Sequence, residues 1–257
     1  MHEGPFGPDT LGRVEAGQVC LMRGFLEPDL AMCRALILGA VERACGGKVP
    51  ATNVSNAGLE RVHEVLAPGE LRRVVEDLAR VNVPGRLRPL LVRVTRDLAR
   101  SRLGLSGPLW LDAQPVVRFY VPQDCWDKAP HQLGLGGHLK IQGPHKDDWF
   151  GHSLRGVNLW MAVGRVRRGN GLSVYPDLWG RDFPHDGKFM PPRDARLGRP
   201  LNFDLSPGDA LLFHGQHVHA SELNWTDETR VAFTTRFSTC APEFTEGGNH
   251  PWELDGG

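Results

Sequence analysis

The sequence predicts an all-β core of sandwich, barrel or jelly-roll type, buttressed by N-terminal α-helices. Two observations carry this. Up to about residue 108 the apolar residues recur every three or four positions, the spacing of helices with one buried face. After Leu109 the period drops to two, and Gly, Pro and Asp separate short apolar runs, as expected for many short strands joined by tight turns. The chain has no internal repeat and no low-complexity tract. It therefore reads as one domain over 1–257, with about 1–108 the mainly helical buttress and about 109–240 the core.

In chain order, the short apolar run 18–23 reads as a strand. Leu26-Glu27-Pro28-Asp29-Leu30 then opens a helix with Leu30, Cys33, Leu36, Ile37, Ala40 and Val41 on one side, and Gly46-Gly47 closes it. A second helix is expected over 68–81, with Leu71, Val74, Val75 and Leu78 inward, and a third over 86–103, with Leu90, Leu91, Val94 and Leu98 inward. In the core, 113–121 alternates as a strand, and 157–163 and 210–213 are short buried runs. From Arg230 to Ser238 the alternation puts Val231, Phe233, Thr235 and Phe237 on one face and Arg230, Ala232, Thr234 and Arg236 on the other. The segment 177–199 is rich in Pro, Gly and charge without a period, and is read as a lid loop.

Composition narrows the function. Thirty basic and thirty acidic residues cancel, so the basic footprint of a nucleic-acid partner is missing, and no polybasic run points to a membrane surface. The five cysteines are odd in number and form no C-x-x-C pair. A disulfide framework is not expected, and a reducing cytoplasm is the expected setting. Twenty-five of the thirty basic residues are arginine, a mark of a GC-rich genome.

The chemistry lies in the histidines. Eleven are present, and eight fall between residues 131 and 219. The repeat of His131, His138, His145 and His152 every seven residues is broken by glycines and Pro144, so no helical metal stripe is expected. Pro144-His145-Lys146-Asp147 is different. If the segment is a strand, His145 and Asp147 point to the same side and aim an imidazole and a carboxylate at one point. A third ligand would complete the two-histidine, one-carboxylate facial triad that suits iron(II) with open coordination positions. His214, His217 and His219, after the Ser206-Pro207-Gly208-Asp209 turn and its apolar strand, all remain candidates; His217 and His219 share strand parity. Arg230, eleven residues beyond His219, could grip an acidic co-substrate with its planar fork of donors.

Taken together, these residues resemble the phytanoyl-CoA hydroxylase-like (PhyH) family of iron(II)/2-oxoglutarate dioxygenases. That family's pattern is H-x-D, then a distal H-x-S followed by Asn and by Arg eleven residues after the histidine. Here it reads His145-x-Asp147, His219-Ala220-Ser221, Asn224 and Arg230. The run Gly169-Asn170-Gly171-Leu172-Ser173-Val174 resembles the family's hairpin between the two ligand sets, and Leu21-Met22-Arg23-Gly24-Phe25-Leu26 its N-terminal entry. The resemblance implies a double-stranded β-helix (a cupin-like jelly roll), Fe(II), 2-oxoglutarate and O2. It implies metal ligands His145, Asp147 and His219, with His217 the replacement for His219. It implies Arg230 on the distal carboxylate of 2-oxoglutarate with help from Ser221, and Arg236 as the fallback anchor. Trp160 is matched to an aromatic that touches the co-substrate, with plain core packing the alternative. Trp149, His152 and Asp148 follow the ligands closely and are candidates to line the substrate pocket, again against a packing alternative. Because Asp147 retains the carboxylate, hydroxylation or a related oxidation of a C–H bond is expected rather than halogenation, with no catalytic group beyond the metal centre. The small chain and its arginine-rich composition point to a small-molecule substrate in bacterial secondary metabolism. A non-catalytic metal-binding jelly roll and a zinc-dependent hydrolase are the competing classes.

Overall fold

A computed structural model of the chain describes residues 1–79, 87–128, 143–183, 185 and 197–255. A two-residue strand, β1 (His2–Glu3), and a short helix, α1 (Asp9–Glu15), precede β2 (Cys20–Met22). Four helices follow: α2 (Glu27–Cys45), α3 (Ala51–Val65), α4 (Pro68–Ala79) and α5 (Leu87–Asp97), the last running into a π-type turn over Leu98–Arg102. α2 starts with Pro28 in its first turn, where the missing N–H costs nothing, and stops at Gly46, which takes the left-handed conformation (φ 60°). α3 has no counterpart among the expected elements. Its polar sequence hides it, and Gly58 (φ 67°) kinks it into two pieces.

The core then runs through β3 (Trp110–Asp112), β4 (Val116–Tyr120) and a short helix α6 (Gln123–Lys128). The rest comprises β5 (Val157–Ala162), β6 (Leu172–Tyr175), β7 (Leu201–Asn202), β8 (Ala210–His214), β9 (Val218–Ser221), β10 (Arg230–Ser238) and β11 (Trp252–Leu254). The expected single strand over 113–121 is split. Asp112 turns the chain by accepting the backbone N–H of Gln114 (2.7 Å), and Pro115 lacks the donor to continue the ladder, so pairing resumes at Val116.

Two sheets form. The larger has the order β1-β2-β8-β5-β10-β3-β11, with β4 also paired to β10; the smaller is β7-β6-β9. β10 is the spine. Its residues 232–237 pair antiparallel with 162–157 of β5, and its other edge pairs first with β4 and then with β3. All nine of its residues are buried. Its two faces serve different purposes. Val231, Phe233 and Phe237 join the large apolar cluster with Ile37, Val41 and Leu91 of the helices and Leu159 and Met161 of β5. Ala232 packs on the opposite side, in a second cluster with Trp160, Phe213, Leu172 and Val174 between the two sheets. The helices therefore cover one face of the large sheet, and the small sheet faces the other. The result is a jelly-roll-type core with helical buttressing, as expected.

Among the described residues no cysteine forms a disulfide. Among the described residues no helix is long and apolar enough to cross a membrane. Of the expected lid over 177–199, residues 184 and 186–196 lie outside the described residues. Of the described part, Leu178 is buried with Leu197 and Val218, and Trp179 packs on His217.

Candidate metal centre

His145 does not sit in a regular strand, and this corrects the basis on which it was paired with Asp147. It forms an isolated antiparallel bridge with His219, the two backbones exchanging N–H to O bonds of 3.0 and 2.9 Å. The chain then bends into a 3-10 turn over Asp147–Phe150, closed by left-handed Gly151 (φ 78°). The Asp147 amide donates to the Gly215 carbonyl (3.0 Å), which anchors this turn to the connection between β8 and β9. The two side chains still reach the same point, through a bridge and a turn rather than through strand parity.

At that point His145, Asp147 and His219, all buried, each offer a ligand atom, and the three atoms lie within 4.8 Å of one another. The imidazole rings are 4.3 Å apart, centroid to centroid. His145 Nδ1 meets the Gly143 carbonyl at 2.7 Å and His219 Nδ1 meets the His217 carbonyl at 3.0 Å. A carbonyl only accepts, so each Nδ1 carries the proton and each Nε2 keeps its lone pair, the tautomer a metal requires. Burial, together with the neighbouring His219, holds His145 well below the ordinary histidine pKa, and burial also lowers His219. Asp147 Oδ1 is 3.7 Å from His219 Nε2. Burial pushes the Asp147 carboxyl up, but the Arg236 guanidinium more than offsets it, so the group stays ionised. Two neutral imidazoles and one carboxylate form the donor set of a facial iron(II) site.

A narrow cavity opens beside these ligands, lined by Arg118, Asn158, Trp160, Thr234, Ser221 and Arg236 among others. Arg230, fully buried, lies over the Tyr120 ring (4.2 Å) and 5.8 Å from the ring of Trp160, one of the cavity's lining residues. Its Nη1 donates to the Gly171 carbonyl (3.1 Å), and among the described residues Nε and Nη2 have no hydrogen-bond partner within bonding distance, though the Tyr120 hydroxyl and the Glu222 carboxylate lie close enough to favour its charge. Burial pushes its pKa down to about 10. Thr234 Oγ1 and Asn158 Oδ1 are likewise buried without partners. A buried cation with two idle donors is costly unless an anion meets it, so these residues suit a small dicarboxylate. Burial raises the Tyr120 hydroxyl, but the charges of Arg118 and Arg230 and its hydrogen bonds to Ser221 and Arg118 bring it below its ordinary pKa.

The other candidates separate. Arg236 points at Asp147 and Asp112 and is fully committed to them, at 2.9–3.1 Å; it is not a spare anchor. His217 turns away from the ligands. Its Nε2 meets the Gly17 carbonyl at 3.0 Å and its Nδ1 the His214 carbonyl at 3.2 Å. His214 packs edge-on against Trp179. Trp149 stacks on His185 (4.1 Å) in a surface groove it shares with Asp148 and Lys146, and Asp148 accepts from Gln216 Nε2 (3.0 Å). His152 lies behind Asp147 instead, its ring 3.9 Å from that of His250. Asn224 of the H-x-S…N…R pattern is structural. Its Nδ2 donates to the carbonyls of Tyr120 (2.9 Å) and Glu228 (2.7 Å), tying the β9–β10 connection to β4.

Sequence reasoning missed Arg118, Tyr120, Asn158, Asp112 and His250. A signal existed for the first two: an arginine and a tyrosine two apart in an apolar strand, which pair across to Ala232 and Arg230 of β10. Asp112 and His250, 138 positions apart and yet 2.7 Å from each other, left none.

Residues 111–232, just under half of the chain, match the family model described as phytanoyl-CoA dioxygenase (PhyH). No curated protein matches the chain. Among solved structures, the chain is similar to the non-heme alpha ketoglutarate dependent carbocyclase SnoK from nogalamycin biosynthesis, at 17% identity over 66% of this chain and 71% of that one, with a TM-score of 0.45. It is also similar to the non-heme monooxygenase ThoJ, at 17% identity over 82% and 70%, TM-score 0.46. A third is EvdO2 from Micromonospora carbonacea var. aurantiaca complexed with 2-oxoglutarate, at 17% over 64% and 67%, TM-score 0.43. At such values these likenesses carry no argument about activity.

Proposed function

We propose, from the match of residues 111–232 to the phytanoyl-CoA dioxygenase family model, how this chain divides the work of an iron(II)- and 2-oxoglutarate-dependent oxygenase among its residues. His145 and His219 donate their Nε2 lone pairs to iron, and Asp147 supplies the carboxylate. Arg230 takes the distal carboxylate of 2-oxoglutarate with its idle Nε and Nη2, helped by the hydroxyl of Ser221, and Trp160 walls the co-substrate. When bound, iron and 2-oxoglutarate supply O2 activation, with release of succinate and CO2. The protein contributes neutral imidazoles, a fixed carboxylate and a buried arginine beside the cavity wall formed by Trp160.

The substrate is a small molecule whose C–H bond is hydroxylated, and the setting is bacterial secondary metabolism. Asp148 and Trp149, on the turn that carries Asp147, line its approach. The arginine-rich composition supports a bacterial source, and the retained Asp147 supports hydroxylation. The observation that carries the reading is the convergence of two Nε2 lone pairs and one carboxylate beside a buried arginine with two unpartnered donors.

Turnover of 2-oxoglutarate to succinate with iron(II) under air tests it. His145→Ala and Asp147→Ala should each abolish succinate formation, and Arg230→Ala should raise the 2-oxoglutarate KM at least about 100-fold, the loss of a buried charge-assisted contact. Normal turnover by both ligand variants sinks the assignment. Activity retained without oxygen and with zinc would point to the hydrolase instead.

A further inference from the structure

Both oxygens of Asp147 are engaged by neighbouring side chains. Arg236 donates from Nη2 to Oδ1 (2.9 Å) and from Nε to Oδ2 (3.1 Å), and Asn158 Nδ2 donates to Oδ2 (2.6 Å). The carboxylate is thus held in one orientation, with Oδ1 turned toward His219. Such a clamp has an electrostatic penalty. A guanidinium about 3 Å from a ligating carboxylate repels any cation that the carboxylate binds.

The third arm of Arg236 answers this. Its Nη1 donates to Asp112 Oδ2 at 3.0 Å, and both residues are buried. The other oxygen of Asp112 accepts the Gln114 amide (2.7 Å) and meets His250 Nε2 (2.7 Å). His250 lies outside the family-matched segment 111–232. β11 brings it in by pairing Trp252 with Asp112. Asp112, Arg236 and Asp147 together carry a net charge of −1; with Asp112 neutral they would carry none.

We propose that Asp112, seated by His250 of the C-terminal segment, is a positioning residue whose charge offsets Arg236, so that Arg236 can orient Asp147 without weakening its hold on a divalent cation. This rests on the reading that His145, Asp147 and His219 bind the metal. Asp112, His152 and His250 also bring ligand atoms within 4.8 Å of one another. A cation there would sit against the Arg236 guanidinium and displace the His250 contact, so the cluster is an anchor rather than a second metal site.

Calorimetric titration of cobalt(II) into the metal-free full-length protein, with thermal unfolding recorded alongside, separates these outcomes. The wild type should bind one equivalent, and His145→Ala should lose it. Asp112→Asn should weaken binding about 10- to 100-fold, the usual range for groups that support a ligand, and His250→Gln should weaken it less. The double variant Asp112→Asn/Arg236→Gln restores the net charge of −1 and should bind cobalt more tightly than Asp112→Asn alone, which a purely structural role would not produce. If Asp112→Asn does not fold, His250→Gln carries the test. Wild-type affinity in His250→Gln, or no recovery in the double variant, overturns the proposal. So does a second equivalent that only the Asp112 and His250 variants lose, which would make the cluster a metal site. If His145→Ala binds cobalt like the wild type, the metal reading itself fails, and this proposal with it.

Discussion

At the scale of single residues, the site depends as much on what is missing as on what is present. Gly215 stands directly behind Asp147. A Cβ built on it would come within 2.9 Å of Asp147 Oδ2 and 3.1 Å of the Gly156 carbonyl. Neither neighbour can yield, because Oδ2 is held by Asn158 and Arg236 and the other atom is backbone. Gly215→Ala is therefore expected to rotate the carboxylate off its bearing. Cobalt(II) affinity should fall at least tenfold, with an overpacking destabilisation of about 1–3 kcal/mol. Unchanged metal affinity in a folded Gly215→Ala protein would mean that the orientation of Asp147 matters little. The same scale explains the histidines. Of the three clustered at 214–219, His219 turns Nε2 toward Asp147 while its Nδ1–H donates to the His217 carbonyl, whereas the Nε2 of His217 is held at the Gly17 carbonyl.

At the scale of elements, β10 and the connection before it set the co-substrate side. Arg230 begins β10, and its guanidinium position depends on where that strand starts. Asn224 decides this by binding the Tyr120 and Glu228 carbonyls, with its own Oδ1 accepting from Thr226 Oγ1 (2.7 Å). Asn224→Ala would remove the side-chain donor to the buried Tyr120 carbonyl and the shorter of two side-chain donors to the Glu228 carbonyl. The expected loss is about 1–3 kcal/mol, read as a fall in Tm of about 2–4 °C per kcal/mol for a chain of this size. Because the connection leads directly into Arg230, while His219 on β9 is held separately by its bridge to His145, 2-oxoglutarate affinity should drop while cobalt affinity holds. An equal loss of both would show that the connection supports the whole site rather than the arginine alone.

At the scale of the molecule, the buried histidines make stability depend on pH. Burial pushes His214 and His217 down to about 4 and His152 to about 3. In the folded protein they remain neutral below pH 6.5, where the unfolded chain takes up protons. The unfolded state then binds more protons, so stability falls as pH drops. The slope is up to about 1.4 kcal/mol per pH unit for each such histidine. Asp112, held at about 2 against the burial that would raise it by its His250 hydrogen bond and the Arg236 charge, acts in a lower window. Its contribution is complete above about pH 4 and is lost as pH falls toward 2. The metal-free protein should thus lose Tm progressively from pH 6.5 to 4, and His217→Gln should make that slope shallower. A Tm that stays level between pH 7 and 5 would contradict the burial of these rings.

The sequence by itself determined the helical first part, the strand-rich second part and the two-faced alternation of β10, because a period of 3.6 or 2 directly records which face is buried. It also singled out His145, Asp147 and Arg230, whose spacing resembles a known pattern. Three kinds of information waited for the tertiary structure. α3 was hidden because its buried apolar residues are few (Val54, Leu59 and Val62) and the kink at Gly58 breaks their helical spacing. The backbone that aims His145 and Asp147 is a bridge and a turn stitched to His219 and Gly215, contacts about 70 residues away in sequence. The Arg236–Asp112–His250 chain joins three separate elements. Hydrogen bonds between distant segments leave no period and no local motif, so only the folded chain reveals them.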